Sequence, residues 1–403
     1  MKKLVQQIIG ASKLIRKEKK KYDGNDEIMI STGSTLLDLA ISGGRKRGGG
    51  LPGGILVEIF GPSGCGKTVL LCEIAGGVQR QKGKIMFRDP EARLDKQFAR
   101  IFDLDTNDME YDTPDRVPDV FKAVREWEPE LENGLQKSEI TKMKRDAVID
   151  FIKEHNLKIN FELKKFNELK ALKKEVKKAI EKENAKNRSV STTIHGIFAD
   201  SLAALSTSLE MDSEEGDKMG MRRAKEFSEE TRKTCRIITN RNYLMVCSNQ
   251  IRQSGDTSGY GEKYTTPGGE AFPFYASVRL KTGSKKKLIQ EIKINGRDVK
   301  KVYGVKVEVE VYKNSCWKPY RTAPVTIVFD YGIDDIRDCL QYLKDFSSDS
   351  TYCISNESFQ PISDAIAHIE ENRLEKKLKN AVIDRWQEIE EMFKEDRIKK
   401  RRE

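Results

Sequence analysis

The stretch Gly61-Pro62-Ser63-Gly64-Cys65-Gly66-Lys67-Thr68 constrains this chain more than any other. It satisfies G-x-x-x-x-G-K-[ST] and stands where that motif has to stand. An apolar run at residues 55–60 precedes it, and residues 69–78 follow with apolar side chains at helical spacing. Glycines here let successive backbone N–H groups turn inward around phosphate oxygens, an approach that side chains would obstruct. The N-terminus of the following helix adds partial positive charge at the same point. Lys67 is then placed to reach the β- and γ-phosphates of a nucleotide, and the Thr68 hydroxyl to meet Mg²⁺. All eight residues are candidate nucleotide contacts.

Three further segments end an apolar run on a polar residue. Met86-Phe87-Arg88-Asp89-Pro90-Glu91 puts Glu91 just beyond a strand end, where a carboxylate can orient and deprotonate a water attacking the γ-phosphate. Ile197-Phe198-Ala199-Asp200-Ser201 ends a strand on Asp200, a position from which a carboxylate holds Mg²⁺ through its water shell. Leu244-Met245-Val246-Cys247-Ser248-Asn249 leads into Gln250, which either senses the γ-phosphate by hydrogen bonding or caps the strand structurally. A surface Glu or a strand-terminal Asp is common in itself. The phosphate loop upstream is what gives these residues meaning.

From residue 28 to about 127 the pattern is strand, glycine loop, helix, strand, helix. This predicts an α/β fold with a mostly parallel, helix-covered sheet. Strands resume at residues 196–199, 243–247, 276–281, 304–311 and 325–329. The last two alternate apolar with polar residues, as in Val305, Val307, Val309 and Val311, which reads as antiparallel pairing at one end of the sheet. Residues 128–190 interrupt this with Lys, Glu and Asn. Phe166, Leu169, Leu172, Val176 and Ile180 recur there in steps of three and four, as in one arm of a charged helical hairpin inserted into the core. Residues 1–27 carry Leu4, Ile8, Ile9, Leu14 and Ile15 on a short amphipathic helix, which packs on its own core or docks on a neighbouring subunit. The core is thus expected over 28–332 and a helical segment over 333–403. That segment ends in Lys399-Lys400-Arg401-Arg402, either a DNA contact or a solvated tail.

Composition narrows the class. A chain of 403 residues with 34% charged residues and a net charge of +10 suits a polyanionic partner. Seven cysteines without a C-x-x-C pair and only three histidines exclude zinc-type spacing. No apolar run approaches the roughly 18 residues of a membrane span, and residues 1–21 lack the continuous apolar region of a signal peptide. The expected location is the cytoplasm, with reduced thiols.

Together these segments resemble the bacterial RecA recombinase and its phage-encoded relatives. The resemblance rests on Ser31-Thr32-Gly33-Ser34 with Leu37-Asp38, Gly50-Leu51-Pro52-Gly53-Gly54, the phosphate loop, and Asp89-Pro90-Glu91 with Leu94-Asp95. It resumes with Asp200-Ser201-Leu202, Glu215-Gly216-Asp217-Lys218-Met219-Gly220, Asn249-Gln250-Ile251-Arg252, and Gly268-Gly269 leading to Phe274-Tyr275-Ala276-Ser277-Val278-Arg279-Leu280. The resemblance implies a RecA-like P-loop NTPase core acting as a DNA-dependent ATPase with ATP and Mg²⁺. Such a protein forms a helical filament on single-stranded DNA and exchanges strands with a homologous duplex. It further implies that Glu91 is the catalytic glutamate, Asp200 the magnesium-side aspartate and Gln250 the γ-phosphate switch, with Asp95 and Phe98 flanking the adenine. Residues 211–225 match a first DNA-binding loop, with Met219, Gly220, Arg222 and Arg223, and Ala224 where an arginine is usual. Residues 252–270 match a second, with Arg252, Lys263, Gly268 and Gly269. Lys313 matches a lysine that reaches a neighbour's ATP. The partner lysine falls on Ser315, leaving Lys318 or Arg321 as substitutes. The insertion and the basic tail point to a phage-encoded relative. A hexameric helicase on the same fold and a recombination mediator that binds ATP structurally are the alternatives.

Overall fold

Side-chain alternation along five short strands sets the layers of this molecule. The computed structural model describes residues 28–102, 104–129, 140, 142–155, 157, 169–190, 193–207, 219–253, 264–266, 271–354 and 357–395. The chain opens with β1 (Met29–Ile30), α1 (Thr35–Ser42), β2 (Leu51–Pro52), β3 (Ile55–Gly61) and α2 (Lys67–Arg80). It continues through β4 (Ile85–Arg88), α3 (Lys96–Ile101), β5 (Met109–Asp112) and α4 (Val117–Glu126). Helices α5 (Arg145–Glu154) and α6 (Leu169–Val190) fall within the segment 128–190 expected as an insertion. Then come β6 (His195–Ala199), α7 (Met219–Asn240), β7 (Tyr243–Gln250), β8 (Arg252–Gln253), β9 (Tyr264–Thr265) and α8 (Ala271–Tyr275). The remainder is β10 (Val278–Ile294), β11 (Arg297–Asn314), β12 (Thr322–Val328), β13 (Gly332–Ile333), α9 (Asp335–Asp345), β14 (Tyr352–Ile354), β15 (Glu357–Phe359), α10 (Ile362–Glu371) and α11 (Glu375–Met392).

A nine-stranded sheet has the order β13-β12-β11-β10-β3-β7-β6-β4-β5. It is parallel from β10 to β5 and antiparallel from β10 to β13, as the alternation in 304–311 predicts. Successive residues of a strand face opposite ways. Val57, Ile59, Phe198, Leu244 and Val246 therefore join α1 and α2 in one apolar cluster. Leu56, Ile197, Ala199, Tyr243, Met245 and Cys247 join α4 and α7 in another on the opposite face. The insertion has its own small cluster, in which Leu172, Val176 and Ile180 meet Val148, Phe151 and Ile152. Its expected stripe is buried there as a hairpin arm would bury it; Phe166 lies outside the described residues, as do residues 1–27 and the basic tail. Among the described residues no helix is long and apolar enough to cross a membrane.

Two features were not foreseen. The strands expected at 276–281 and 304–311 are the inner ends of a long ribbon, paired from Val278↔Asn314 out to Ile294↔Arg297. Its outer half is exposed on both faces, so Lys285, Lys286, Lys287, Ile289 and Ile292 show no one-sided alternation to read. A β14–β15 hairpin also interrupts the helical segment. That segment does not stand apart, because Cys339, Leu340, Ile369, Val382 and Trp386 share the first apolar cluster with α1 and α2.

Asp338 on α9 ties this segment to the sheet. It is 2% exposed and accepts from the Thr326 N–H and hydroxyl, both at 2.7 Å, with the Lys306 ammonium 3.8 Å away. Burial pushes its carboxyl up to about 6, against the pull of the Thr326 hydrogen bonds and Lys306. The folded state thus holds this proton more tightly than the unfolded chain. The resulting stabilisation is fully present below the ordinary value of 3.8 and is lost as pH rises through about 6. Asp338→Asn preserves both contacts, its amide oxygen accepting the N–H and its amide nitrogen donating to the hydroxyl. Urea melts should show a gain of about 1–3 kcal/mol at pH 8 that fades by pH 4. No gain at pH 8 would contradict this account of the buried carboxylate.

Candidate nucleotide site

The loop at residues 61–66 joins β3 to α2 and needs its glycines for contact as much as for conformation. Gly66 is left-handed (φ 76°), and a Cβ there would lie 2.3 Å from Ile327 Cδ1. A Cβ on Gly61 would lie 2.1 Å from the Thr282 hydroxyl oxygen. As N-cap of α2, Gly66 brings no capping side chain, so the first-turn N–H groups are left for an anion. Lys67 Nζ donates to the Gly61 carbonyl at 3.0 Å and the Pro62 carbonyl at 2.8 Å, which holds the ammonium across the loop. Burial lowers its pKa, while the charges of Asp200, Cys65 and Glu91 work the other way.

The carboxyl ends of β4, β6 and β7 supply the rest, as parallel sheets place their ligand sites. The Thr68 hydroxyl donates to Asp200 Oδ2 at 2.6 Å, and Ser248 donates to Asp200 Oδ1. Burial raises the pKa of Asp200, opposed by these two hydrogen bonds and reinforced by Asp89 and Glu91. A hydroxyl and a carboxylate side by side are the hard oxygen donors that suit Mg²⁺, which takes few protein ligands and completes its shell from water and phosphate. Among the described residues there is no group of three or more His, Cys, Asp or Glu side chains that could hold a metal ion. The Ser201 hydroxyl donates to Glu91 Oε1 at 2.9 Å, and Arg93 Nη1 lies 2.5 Å from Glu91 Oε2. Gln250 is exposed at the end of β7, its N–H bonded to Asn249 Oδ1 at 3.0 Å. Asn249 in turn donates to Glu58 Oε1 at 3.0 Å, and Arg279 Nε to Glu58 Oε2 at 2.7 Å.

These groups line one cleft of about 380 Å³, with Ser63, Gly64, Lys67, Thr68, Glu91 and Arg93, Asp200 and Gln250 on its polar side. Its apolar wall is Leu94, Ile101, Phe102, Val305, Ile327 and Phe329. The sequence reading missed that wall. Its only local signal was the strand pattern of residues 304–311 and 325–329, which does not say that their ends lie over the phosphate loop.

The remaining candidates are spread more widely. Pro62 is not part of the lining, and Cys65 is buried beneath the loop, its thiol 3.8 Å from the Ser63 carbonyl. Asp95 is exposed outside the cleft and accepts the Ala99 N–H through its carbonyl. The side chain of Phe98 lies outside the described residues. Lys313 is away from this cleft, donating to the Pro273 and Phe274 carbonyls at 2.9 and 2.7 Å. Of the substitutes for Ser315, Arg321 is held by Glu390 and stacks on Trp386, whereas Lys318 lies over Trp317. Arg223 donates to the Leu202 and Ala203 carbonyls. Met219, Gly220 and Arg222 open α7 with side chains outside the described residues. Arg252 is on β8, paired with Thr265 of β9, and its side chain is likewise outside them. Lys263, Gly268 and Gly269 also lie outside the described residues.

Comparison with known proteins identifies the family. The family model of the RecA N-terminal domain matches residues 2–124 and 143–334. A protein named Protein RecA from Thermus thermophilus is 30% identical over 311 residues, covering 77% of this chain and 69% of the relative. Its namesake from Helicobacter hepaticus is 27% identical over 341 residues, covering 84% and 76%. One from Helicobacter pylori (strain Shi470) is 28% identical over the same length. A phosphate loop, three strand-end polar groups and a match across most of the chain lead to one assignment: this protein belongs to the RecA family.

Proposed function

We propose that this chain is an ATP-dependent homologous recombinase, which assembles as a helical filament on single-stranded DNA and exchanges strands with a homologous duplex. The observation that carries the reading is the convergence of Lys67, Thr68, Glu91, Asp200 and Gln250 on one cleft. ATP lies with its phosphates on the loop at 61–68 and its base toward the apolar wall. Thr68 and Asp200 would hold Mg²⁺, which would supply charge neutralisation on the phosphate oxygens. Glu91 accepts the proton of the attacking water, oriented by the hydrogen bond from Ser201. Gln250 reads the γ-phosphate at the end of β7, immediately before the second DNA-binding loop. The Asn249–Glu58–Arg279 network fixes that strand end against β3 and β10. Lys313 serves the neighbouring subunit's nucleotide, so ATP cements the filament. Residues 211–225 and 252–270 hold the DNA backbone, and base pairing reads homology. Affinity for DNA should therefore fall steeply with salt.

Glu91→Gln tests the chemical half of this reading. Binding of ATP and of single-stranded DNA should stay within about twofold, while turnover falls about 10²–10⁴-fold, the range for loss of a positioned general base. Undiminished phosphate release by the variant would remove Glu91 from that role.

A further inference from the structure

One cation in the cleft has no part in the scheme above. Arg93 lies on the loop after β4, two residues beyond Glu91, and lines the cleft with Lys67 and Gln250. The backbone is pinned on both sides of it. The Ala92 N–H donates to the Asp89 carbonyl at 3.0 Å, and the Leu94 N–H to Asp89 Oδ2 at 2.8 Å. Asp89 is itself buried and accepts from Tyr111. Ala92 is left-handed (φ 50°), a conformation disfavoured for a residue with a Cβ. The side chain of Arg93 is by contrast 79% exposed, against 16% for Glu91, its ion-pair partner at 2.5 Å. A flexible cation thus stands on a fixed base at the mouth of a phosphate site.

We infer that Arg93 is an arginine finger acting in cis, which exchanges Glu91 for the γ-phosphate when ATP binds. This rests on the ATPase reading of the same cleft. An ion pair with one partner so exposed is weakly held. A triphosphate brings several negative charges and oxygens spaced to match the planar guanidinium fork. The exchange has a chemical consequence for Glu91. Ser201 retains Oε1, and departure of Arg93 frees Oε2 to accept from water. The water oxygen then attacks the γ-phosphorus as its proton passes to Glu91. The bond from phosphorus to the β,γ-bridging oxygen breaks, and its electron pair leaves with ADP. Arg93 stabilises the charge that develops on the phosphoryl and bridging oxygens, as a cis arginine does in other phosphate-loop enzymes.

The test uses the full chain with Arg93→Ala and Arg93→Lys. Fluorescent ADP and a non-hydrolysable β,γ-imido ATP analogue report affinity, and single-turnover hydrolysis with single-stranded DNA reports chemistry. For Arg93→Ala, ADP affinity should stay within about twofold, analogue affinity should fall about tenfold, and hydrolysis at saturating ATP should fall about 100-fold. Arg93→Lys should recover part of the hydrolysis, through charge without the fork. Hydrolysis by Arg93→Ala at or above the wild-type rate would overturn the inference and leave Arg93 as a restraint on Glu91. Equal losses of ADP and analogue affinity would also overturn it, as damage to the loop. If the wild-type chain hydrolyses no ATP, the ATPase reading fails instead. The contrast between ADP and analogue then still decides whether Arg93 meets the γ-phosphate.

Discussion

Lys67→Ala is expected to reduce ATP turnover about a thousandfold and to weaken ATP binding, with the fold unchanged. The ammonium spans the loop between the Gly61 and Pro62 carbonyls, close to where the N–H groups of the loop and α2 would place β- and γ-phosphate oxygens on the proposed reading. Among the described residues the other cation lining the cleft is Arg93, beside Glu91, and Lys285 Nζ lies on the outside of the loop, 3.4 Å from the Gly64 carbonyl. Loss of one preorganised donor to a developing charge costs about 10²–10³-fold, and Lys67 also contributes to ground-state binding. Lys67→Arg should fare little better, because a planar fork does not fit a loop shaped around a point charge. Nucleotide titration and phosphate release read both effects, and thermal melts verify folding. Turnover within tenfold of wild type would show that phosphate is not held at this loop.

The second large effect is on stability. Glu58 is 0% exposed and Arg279 8%, and their ion pair joins β3 to β10 in the middle of the sheet. The guanidinium also stacks 4.4 Å from the Phe60 ring centroid and 5.4 Å from that of Tyr312. Glu58→Ala strands a buried cation and removes the acceptor of Asn249, so unfolding should become easier by about 3–5 kcal/mol in urea melts. The double change Glu58→Leu with Arg279→Met should recover part of that loss, since an apolar pair of similar volume carries no desolvation penalty but does not replace the Glu58 acceptor of the Asn249 amide. A single-variant loss below about 1 kcal/mol would mean that the pair is not buried as described. The double variant is informative beyond stability. The network runs from Gln250 through Asn249 to Glu58, so the double variant should restore folding without restoring the proposed coupling between ATP and DNA.

The sequence made some of this legible and hid the rest for physical reasons. The phosphate loop could be read because its glycines and Lys67 lie within eight consecutive residues. Glu91, Asp200 and Gln250 could be read because each follows a buried apolar strand, and a parallel sheet brings such ends together. The apolar wall could not, because Ile327 reaches Gly66, and Val305 the cleft, only through the order of a nine-stranded sheet. The outer ribbon was missed although one signal was present: Asn295-Gly296 between Ile294 and Arg297. Both of its residues have positive φ, as a two-residue hairpin turn requires. Arg321 looked available to replace the missing lysine until α11 was seen to bring Glu390 and Trp386 against it. Arg93 was not legible because an arginine two residues beyond a carboxylate gives no sign of pairing with it, and the left-handed Ala92 between them carries no sequence signature.

The central claim is that this cleft drives homologous strand exchange, and one assay meets it directly. Circular single-stranded DNA is incubated with a homologous linear duplex, ATP and Mg²⁺, and joint molecules are followed on a gel. The account expects joint molecules with wild-type protein that disappear with a heterologous duplex, without ATP, or with Lys67→Ala. ATP and DNA binding without joint molecules would contradict it and bring helicase or mediator activity forward in its place.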